Sequence, residues 1–149
     1  MENDDIFKLV LYPSPTLKEK LTEEVHWIED EHRQIAEKMV RTMYASKGCG
    51  LSTPQVGLKI RLIVYDAGQG PKSMFNPFIT NRLPKKERGG EGCLSFPKLR
   101  VPVQRSKTIA VRYRDVNNIV HEEQFEDWEA RIIQHEIDHL DGIVFLQRK

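Results

Sequence analysis

Long apolar runs, a charge imbalance and abundant cysteine are all missing from this sequence, and each absence closes off a class of explanation. No stretch reaches the roughly 20 apolar residues of a membrane-spanning helix. The N-terminus, Met1-Glu2-Asn3-Asp4-Asp5, is acidic where a secretory leader carries a basic segment ahead of an apolar one. Membrane insertion and secretion are therefore not expected. Lysine and arginine total 23 against 22 aspartate and glutamate, a formal net charge of +1, so no broad basic field marks nucleic acid as the partner. A small or peptidic partner fits better. The two cysteines, Cys49 and Cys93, allow one disulfide, but 149 residues with 39% hydrophobic content build an ordinary core without a staple. That composition points to a reducing cytoplasm and to one domain spanning 1–149.

What is present reads as a short succession of elements. Leu9-Val10-Leu11-Tyr12 is apolar, but Pro13 and Pro15 stop it from continuing as a helix or central strand, so an extended arm is expected. From about His26 to Lys47, Ile28, Ile35, Ala36, Met39 and Met43 recur at helical spacing until Gly48. A glycine-punctuated loop, 48–57, leads to a strand over Ile60 to Tyr65, with Ile60, Leu62 and Val64 on one face. Met74-Phe75 reads as a weak strand stopped at Pro77, and Pro84 to Gly92 as a charged, glycine-rich segment. Thr108 to Tyr113 and Val120 to Phe125 read as strands joined by a turn at Asn117-Asn118. A second helix is expected from an Asp127 N-cap to Leu140, with Gly142 at C′, followed by a short strand over Ile143 to Leu146. Strands between two helices give an α+β class: mixed or antiparallel strands packed around a central C-terminal helix, with a helix near the N-terminus.

That second helix carries His135-Glu136-Ile137-Asp138-His139, an HExxH pattern. A spacing of four puts both imidazoles on one face, where they can bind one metal ion, while Glu136 can reach a water beside it. A surface helix with histidines by accident is the bland alternative. The neighbours Ile132, Ile133, Ile137 and Leu140 argue instead for a buried helix, in which such groups need partners. Hydrolytic metal sites usually take three protein ligands, and the ten residues after His139 contain no histidine, cysteine or glutamate. The third ligand must then lie upstream. Cys93, in Glu91-Gly92-Cys93-Leu94-Ser95, is the best candidate, with His121 and Glu91 as rivals and burial as a small hydrophobe as the ordinary fate of such a cysteine.

Three segments, GCGLSTPQ from Gly48 to Gln55, EGCLS from Glu91 to Ser95 and QHEIDHL from Gln134 to Leu140, occur in the order and form of the peptide deformylases, which the chain resembles over nearly its whole length. The resemblance implies a hydrolase that removes the N-formyl group from the initiator methionine of new peptides and releases formate, commonly with Fe(II), although Ni(II), Co(II) or Zn(II) suit the same donors. It implies Cys93, His135 and His139 as ligands, Glu136 as general acid and base, and the Gln55 side-chain amide and Leu94 backbone N–H as donors to the formyl oxygen. It places Cys49 and Gly50 in the substrate channel beside Gly92. Helix spacing puts Trp128, Arg131 and Ile132 on the His135 face as candidates for the methionine pocket, with ordinary core as the alternative for Trp128 and Ile132. Arg100 stands where the family tends to have an arginine, able to hold substrate or Glu91. Two departures matter. Ser52-Thr53 replaces the family's usual pair of alanines, and Thr53 is expected to be tolerated. The chain also stops soon after the second helix, without the segment associated with ribosome docking in many bacterial members, so attachment by that route is not expected and any proximity to the ribosome is expected to be transient. A monomer is expected. Two other classes remain open at this point: a hydrolase of unblocked peptides, and a catalytically silent peptide-binding module that keeps the metal as a staple.

Overall fold

Residue pattern and backbone chemistry agree first at the N-terminal helix of the computed structural model, which describes residues 5–148. The acidic start of the chain, apart from Asp5, lies outside the described residues. Helix α1 (Asp30–Ala45) begins four residues later than the apolar spacing suggests, because Glu29 and His32 form a reciprocal capping box there. The apolar face of α1, with Ala36, Met39 and Met43, packs on Leu62, Val64 and Phe75 of a sheet.

That sheet has five antiparallel strands in the order β1-β2-β3-β6-β7: β1 (Gly50–Ser52), β2 (Leu62–Asp66), β3 (Pro71–Arg82), β6 (Thr108–Arg114) and β7 (Val120–Glu126). Strand β2 is buried from Leu62 to Tyr65 because both of its faces are covered. Leu62 and Val64 meet α1, whereas Ile63 and Tyr65 meet Ile133 and its neighbours on α2 (Asp127–Leu140). β4 (Lys86–Cys93) and β5 (Phe96–Ser106) pair as a separate antiparallel ribbon whose tip carries Cys93. No helix among the described residues is long and apolar enough to cross a membrane.

Four local expectations change. The weak strand at Met74-Phe75 does not stop at Pro77: β3 continues through an irregularity between Phe75 and Phe78, where Asn76 adopts φ 53° and its amide bonds the backbone of Val25. A proline is accommodated there because the bulge asks no ladder donor of it. The segment from Pro84 to Gly92 contributes most of β4. Its glycines have low strand propensity but make room for arginines: a Cβ on Gly89 would lie 3.1 Å from the Arg131 guanidinium, and one on Gly92 would lie 3.2 Å from that of Arg100. Asp127 is the first helical residue rather than the N-cap, since Glu126 takes that place and the Asp127 carboxylate pairs with Lys107. The last expected strand is a 3-10 turn, Phe145–Arg148. Its apolar residues Val144 and Phe145 are buried against Leu17, Phe96 and Val103, not paired with a sheet edge.

The end of α2 matches the pattern. Gly142 at φ 75° closes a Schellman motif, with its N–H on His139 O and the Ile143 N–H on Asp138 O. A Cβ there would fall 2.5 Å from the Lys18 carbonyl oxygen, so the chain passes too close for any side chain.

Candidate metal centre

Helix α2 turns His135 and His139 to the same side, one turn apart, with ring centroids 5.2 Å from each other. The β4–β5 hairpin brings Cys93 to them across 46 positions of sequence, so that Sγ lies 3.3 Å from His139 Nε2. Ligand atoms from the three residues all fall within 4.8 Å of one another. The rival ligands are engaged elsewhere. His121 bonds Asp115 at 2.7 Å and stacks on Tyr113, and Glu91 Oε1 bonds His135 Nδ1 at 2.9 Å. Glu91 thereby directs the other ring nitrogen, Nε2, toward Cys93's side of the ring, the arrangement in which a carboxylate orients a metal-binding imidazole.

A network of buried charges holds that orientation. Glu91 is 4% exposed and accepts from Arg105 Nε at 2.8 Å and Nη2 at 2.9 Å, and from Arg131 Nη1 at 2.7 Å. Arg105 also reaches Asp138 on α2 at 2.6 Å, and Arg148 closes on the same Asp138. Burial alone would raise the Glu91 carboxyl, but Arg105 and His135 hold it well below the usual carboxylate range. Burial likewise disfavours charge on His135, yet the adjoining Cys93 and Glu91 outweigh it and push the ring up to about 10. His139, buried and facing His135, is held well below the ordinary imidazole value. A cation on these nitrogens takes the place of a proton, so ion uptake is coupled to proton release.

The donor set fits a divalent transition-metal ion: two imidazoles and a thiol converge, with a carboxylate beside them that has one oxygen unpartnered among the described residues. That carboxylate is Glu136, 4% exposed, with Oε1 unpartnered among the described residues. Burial raises it, and although His135 pulls the other way it is pushed up to about 7. Such a group takes up and gives back a proton near neutrality. The β1 backbone presses on it so closely that a Cβ on Gly50 would meet Glu136 Oε2 at 2.5 Å.

Gln55 reaches the same place from the 3-10 turn Thr53–Val56. It is 1% exposed, and its Oε1 accepts both the N–H and the hydroxyl of Ser52 at 3.0 Å. With the oxygen so occupied, Nε2 faces the site, 3.5 Å from Cys93 Sγ and 3.2 Å from Ser95 Oγ. The Thr53 hydroxyl points elsewhere, onto Ile60 O at 2.6 Å. The two residues that depart from the alanine pair thus leave Gln55 in place, and Ser52 helps to hold it. Leu94 sits in the turn of the β4–β5 hairpin, one residue past Cys93. The N-terminal arm ties these loops together through Val10, which donates to Gln55 O and accepts from Ser95 Oγ.

A cavity of about 740 Å³ opens beside the cluster, lined by Cys49, Gly50, Gly92, Trp128, Arg131 and Ile132 among others. Ile132 is core as well as wall, and Trp128, 48% exposed, stands at the rim. Burial and the nearby Glu136 raise the Cys49 thiol. Arg131 is less available to a ligand than its position on the helix suggests, because its guanidinium is taken by Glu91, Val103 O and Glu87 O. Arg100 does not hold Glu91; it donates to Gly90 O at 3.1 Å. Arg105, Asp138 and Ser95 are not singled out by the sequence: Asp138 fills an unspecified position within HExxH, and nothing in the spacing of Arg105 or Ser95 ties either to that motif before the ribbon and α2 meet.

Comparison with known proteins bears on this geometry. A family model described as polypeptide deformylase matches residues 6–149. A peptide deformylase of Thermotoga neapolitana is 38% identical over 143 residues, covering 96% of this chain and 87% of that protein. Among solved structures, the peptide deformylase of Thermotoga maritima superposes with a TM-score of 0.93 at 37% identity, covering 96% of this chain and 97% of the other. A peptide deformylase of Synechococcus elongatus in complex with actinonin gives 0.91 at 37% identity, covering 95% and 78%. The convergence of Cys93, His135, His139 and Glu136 at one cavity, together with a match across nearly the whole length, means that the chain belongs to the peptide deformylase family, enzymes that remove the N-formyl group from nascent peptides.

Proposed function

We propose that this deformylase holds one divalent ion on Cys93, His135 and His139 and hydrolyses the formyl group of the initiator methionine with Glu136 as its proton carrier. The observation that carries the proposal is the meeting of three donor atoms within 4.8 Å beside a buried carboxylate with one oxygen unpartnered among the described residues and an amide nitrogen 3.5 Å from the thiol. A bound ion supplies Lewis-acid charge and lowers the pKa of water toward about 7. Glu136 accepts the proton of the attacking water and delivers it to the methionine nitrogen as the C–N bond breaks, leaving formate and a free amine. Gln55 Nε2 and the Leu94 backbone N–H donate to the formyl oxygen as negative charge develops on it. Cys49, Gly50, Gly92, Trp128 and Ile132 bound the passage in which the methionine and its peptide lie, while Arg131 builds the wall by anchoring Glu91.

Fe(II) is the native ion we assign from the family likeness, with Ni(II), Co(II) and Zn(II) able to occupy the same donors. We assign the chain to the cytoplasm as a monomeric domain over 1–149, with α2 as its central element. The test is anaerobic formate release from an N-formyl-methionyl tripeptide by protein loaded with Fe(II) or Ni(II), alongside Glu136→Gln. Metal-dependent turnover that disappears in the variant is expected. Folded, metal-replete protein without turnover would remove these roles.

A further inference from the structure

The reaction specifies formyl-methionine; nothing in it specifies the residues that follow. They must leave through the mouth of the 740 Å³ cavity, and the charge there is one-sided. Among the described residues, the only carboxylates lining the cavity are Glu91 and Glu136, each 4% exposed. Glu91 is turned inward onto Arg105, Arg131 and His135, and Glu136 belongs to the reaction. Of the lining cations, Arg131 is consumed by Glu91 and two carbonyls. Lys47, Lys98 and Arg100 remain.

These three come from two separate segments that meet where Gly48 packs on Leu94: a Cβ on Gly48 would lie 2.6 Å from Leu94 Cδ1. Lys47 follows α1, and Lys98 and Arg100 lie two residues apart on β5. Among the described residues, Lys47 and Lys98 have no ion-pair or side-chain hydrogen-bond partner, and Arg100 spends one donor on Gly90 O with its guanidinium laid over Gly90 and Gly92. The chain as a whole is nearly neutral, at +1, so this clustering is local and does not reflect a general excess of base. Cations of one sign around a cavity of low dielectric focus their field into it.

We propose that this positive mouth makes the enzyme select formyl-methionyl peptides with acidic residues directly after the methionine and discriminate against lysine and arginine there. The inference rests on the deformylase activity and adds the substrate class. An extended peptide advances about 3.3–3.6 Å per residue, so the second and third side chains emerge just outside the reacting centre. Arg100 offers a planar fork to a carboxylate, and the two lysines act as mobile point charges.

The test compares formate release from C-terminally amidated formyl-Met-Ala-Ser, formyl-Met-Glu-Ser and formyl-Met-Lys-Ser by the metal-loaded protein at low salt. The Glu peptide should exceed the Lys peptide by about fivefold in kcat/KM, the effect of one or two exposed charge pairs, and the difference should lie in KM. It should shrink toward unity near about 1 M salt, where the Debye length is about 3 Å. Lys98→Glu, which keeps a non-glycine residue at the existing φ of 67°, should lower the Glu-to-Lys ratio, and Arg100→Glu should lower it further. The Kd values of the product peptides Met-Glu-Ser and Met-Lys-Ser should follow the same order. Equal kcat/KM for the Glu and Lys peptides, or a ratio indifferent to salt and to Lys98→Glu, overturns the inference while leaving the deformylase intact. Failure of all three peptides, formyl-Met-Ala-Ser included, overturns both.

Discussion

Glu136 and Gln55 show how single side chains are prepared for this chemistry by what surrounds them. Glu136 is buried against α2 and the β1 backbone, so its proton affinity is set by the protein and it is pushed up to about 7. Replacing it with glutamine keeps the volume and removes proton transfer. Turnover should fall by about 10²–10⁴ while stoichiometric metal, counted by elemental analysis, is retained. Gln55 is held by both donors of Ser52 so that Nε2 faces Cys93. Gln55→Ala should cost about 10²–10³ in kcat, the usual effect of losing an oxyanion donor, with a smaller change in KM. A Gln55→Ala variant within tenfold of wild type would show that the amide does not touch the reacting oxygen. At this scale the HExxH residues could be read directly from spacing, because a helix converts i and i+4 into one face whatever the rest of the chain does. The orientation of Gln55 could not, since it depends on a hydroxyl and on a cysteine 38 positions away.

At the scale of elements, α2 and the β4–β5 ribbon are joined by charge more than by apolar contact. Glu91 of β4 and Asp138 of α2 share Arg105 of β5, all three buried. Glu91→Ala would leave Arg131 without its carboxylate, Arg105 with Asp138 alone and His135 without its anchor. Stability should drop by about 3–5 kcal/mol in urea unfolding, and metal affinity by about 10–100-fold. The β6–β7 hairpin carries a smaller device. Asp115 Oδ1 accepts the N–H groups of Asn117 and Ile119, and Oδ2 meets His121. Burial would raise this carboxyl, but His121 and the two amides hold it below its ordinary value. A depressed carboxyl contributes stability above its unfolded pKa of about 3.9, and that contribution is lost as pH falls through the lower folded value. The Tm gap between wild type and Asp115→Asn should therefore be widest near neutral pH and close as the solution is acidified below the unfolded value of about 3.9. A gap that widens with acid would contradict the assignment. The sequence signals the hairpin strongly, through alternation and Asn117-Asn118, and signals the ribbon hardly at all. Glycine and charge in β4 look like loop until Arg100 and Arg131 are seen lying across the glycines.

For the whole molecule, the candidate metal centre joins parts of the chain more than 40 residues apart, Cys93 with His135 and His139, so an ion bound there would link its own binding to folding stability. Saturating Ni(II) at about 100 times its Kd should stabilise the native state by about 2.7 kcal/mol, seen as a rise in Tm that a chelator reverses. Cys93→Ser should abolish most of that rise; an undiminished rise would place the ion elsewhere. The sequence by itself determined the α+β class, both helices, the β2, β6 and β7 strands, the Schellman close at Gly142 and two imidazoles with a carboxylate on one helix face. These are short-range consequences of period, capping and turn chemistry, which the chain expresses locally. Tertiary structure alone decided that Cys93 converges with both imidazoles while Glu91 bonds the Nδ1 of His135 and His121 turns to Asp115, that Arg131 serves Glu91 before any ligand, and that Lys47, Lys98 and Arg100 gather at one mouth. Those outcomes depend on long-range pairing and on competition for partners among buried charges, where each group's role is set by which others the fold brings within reach.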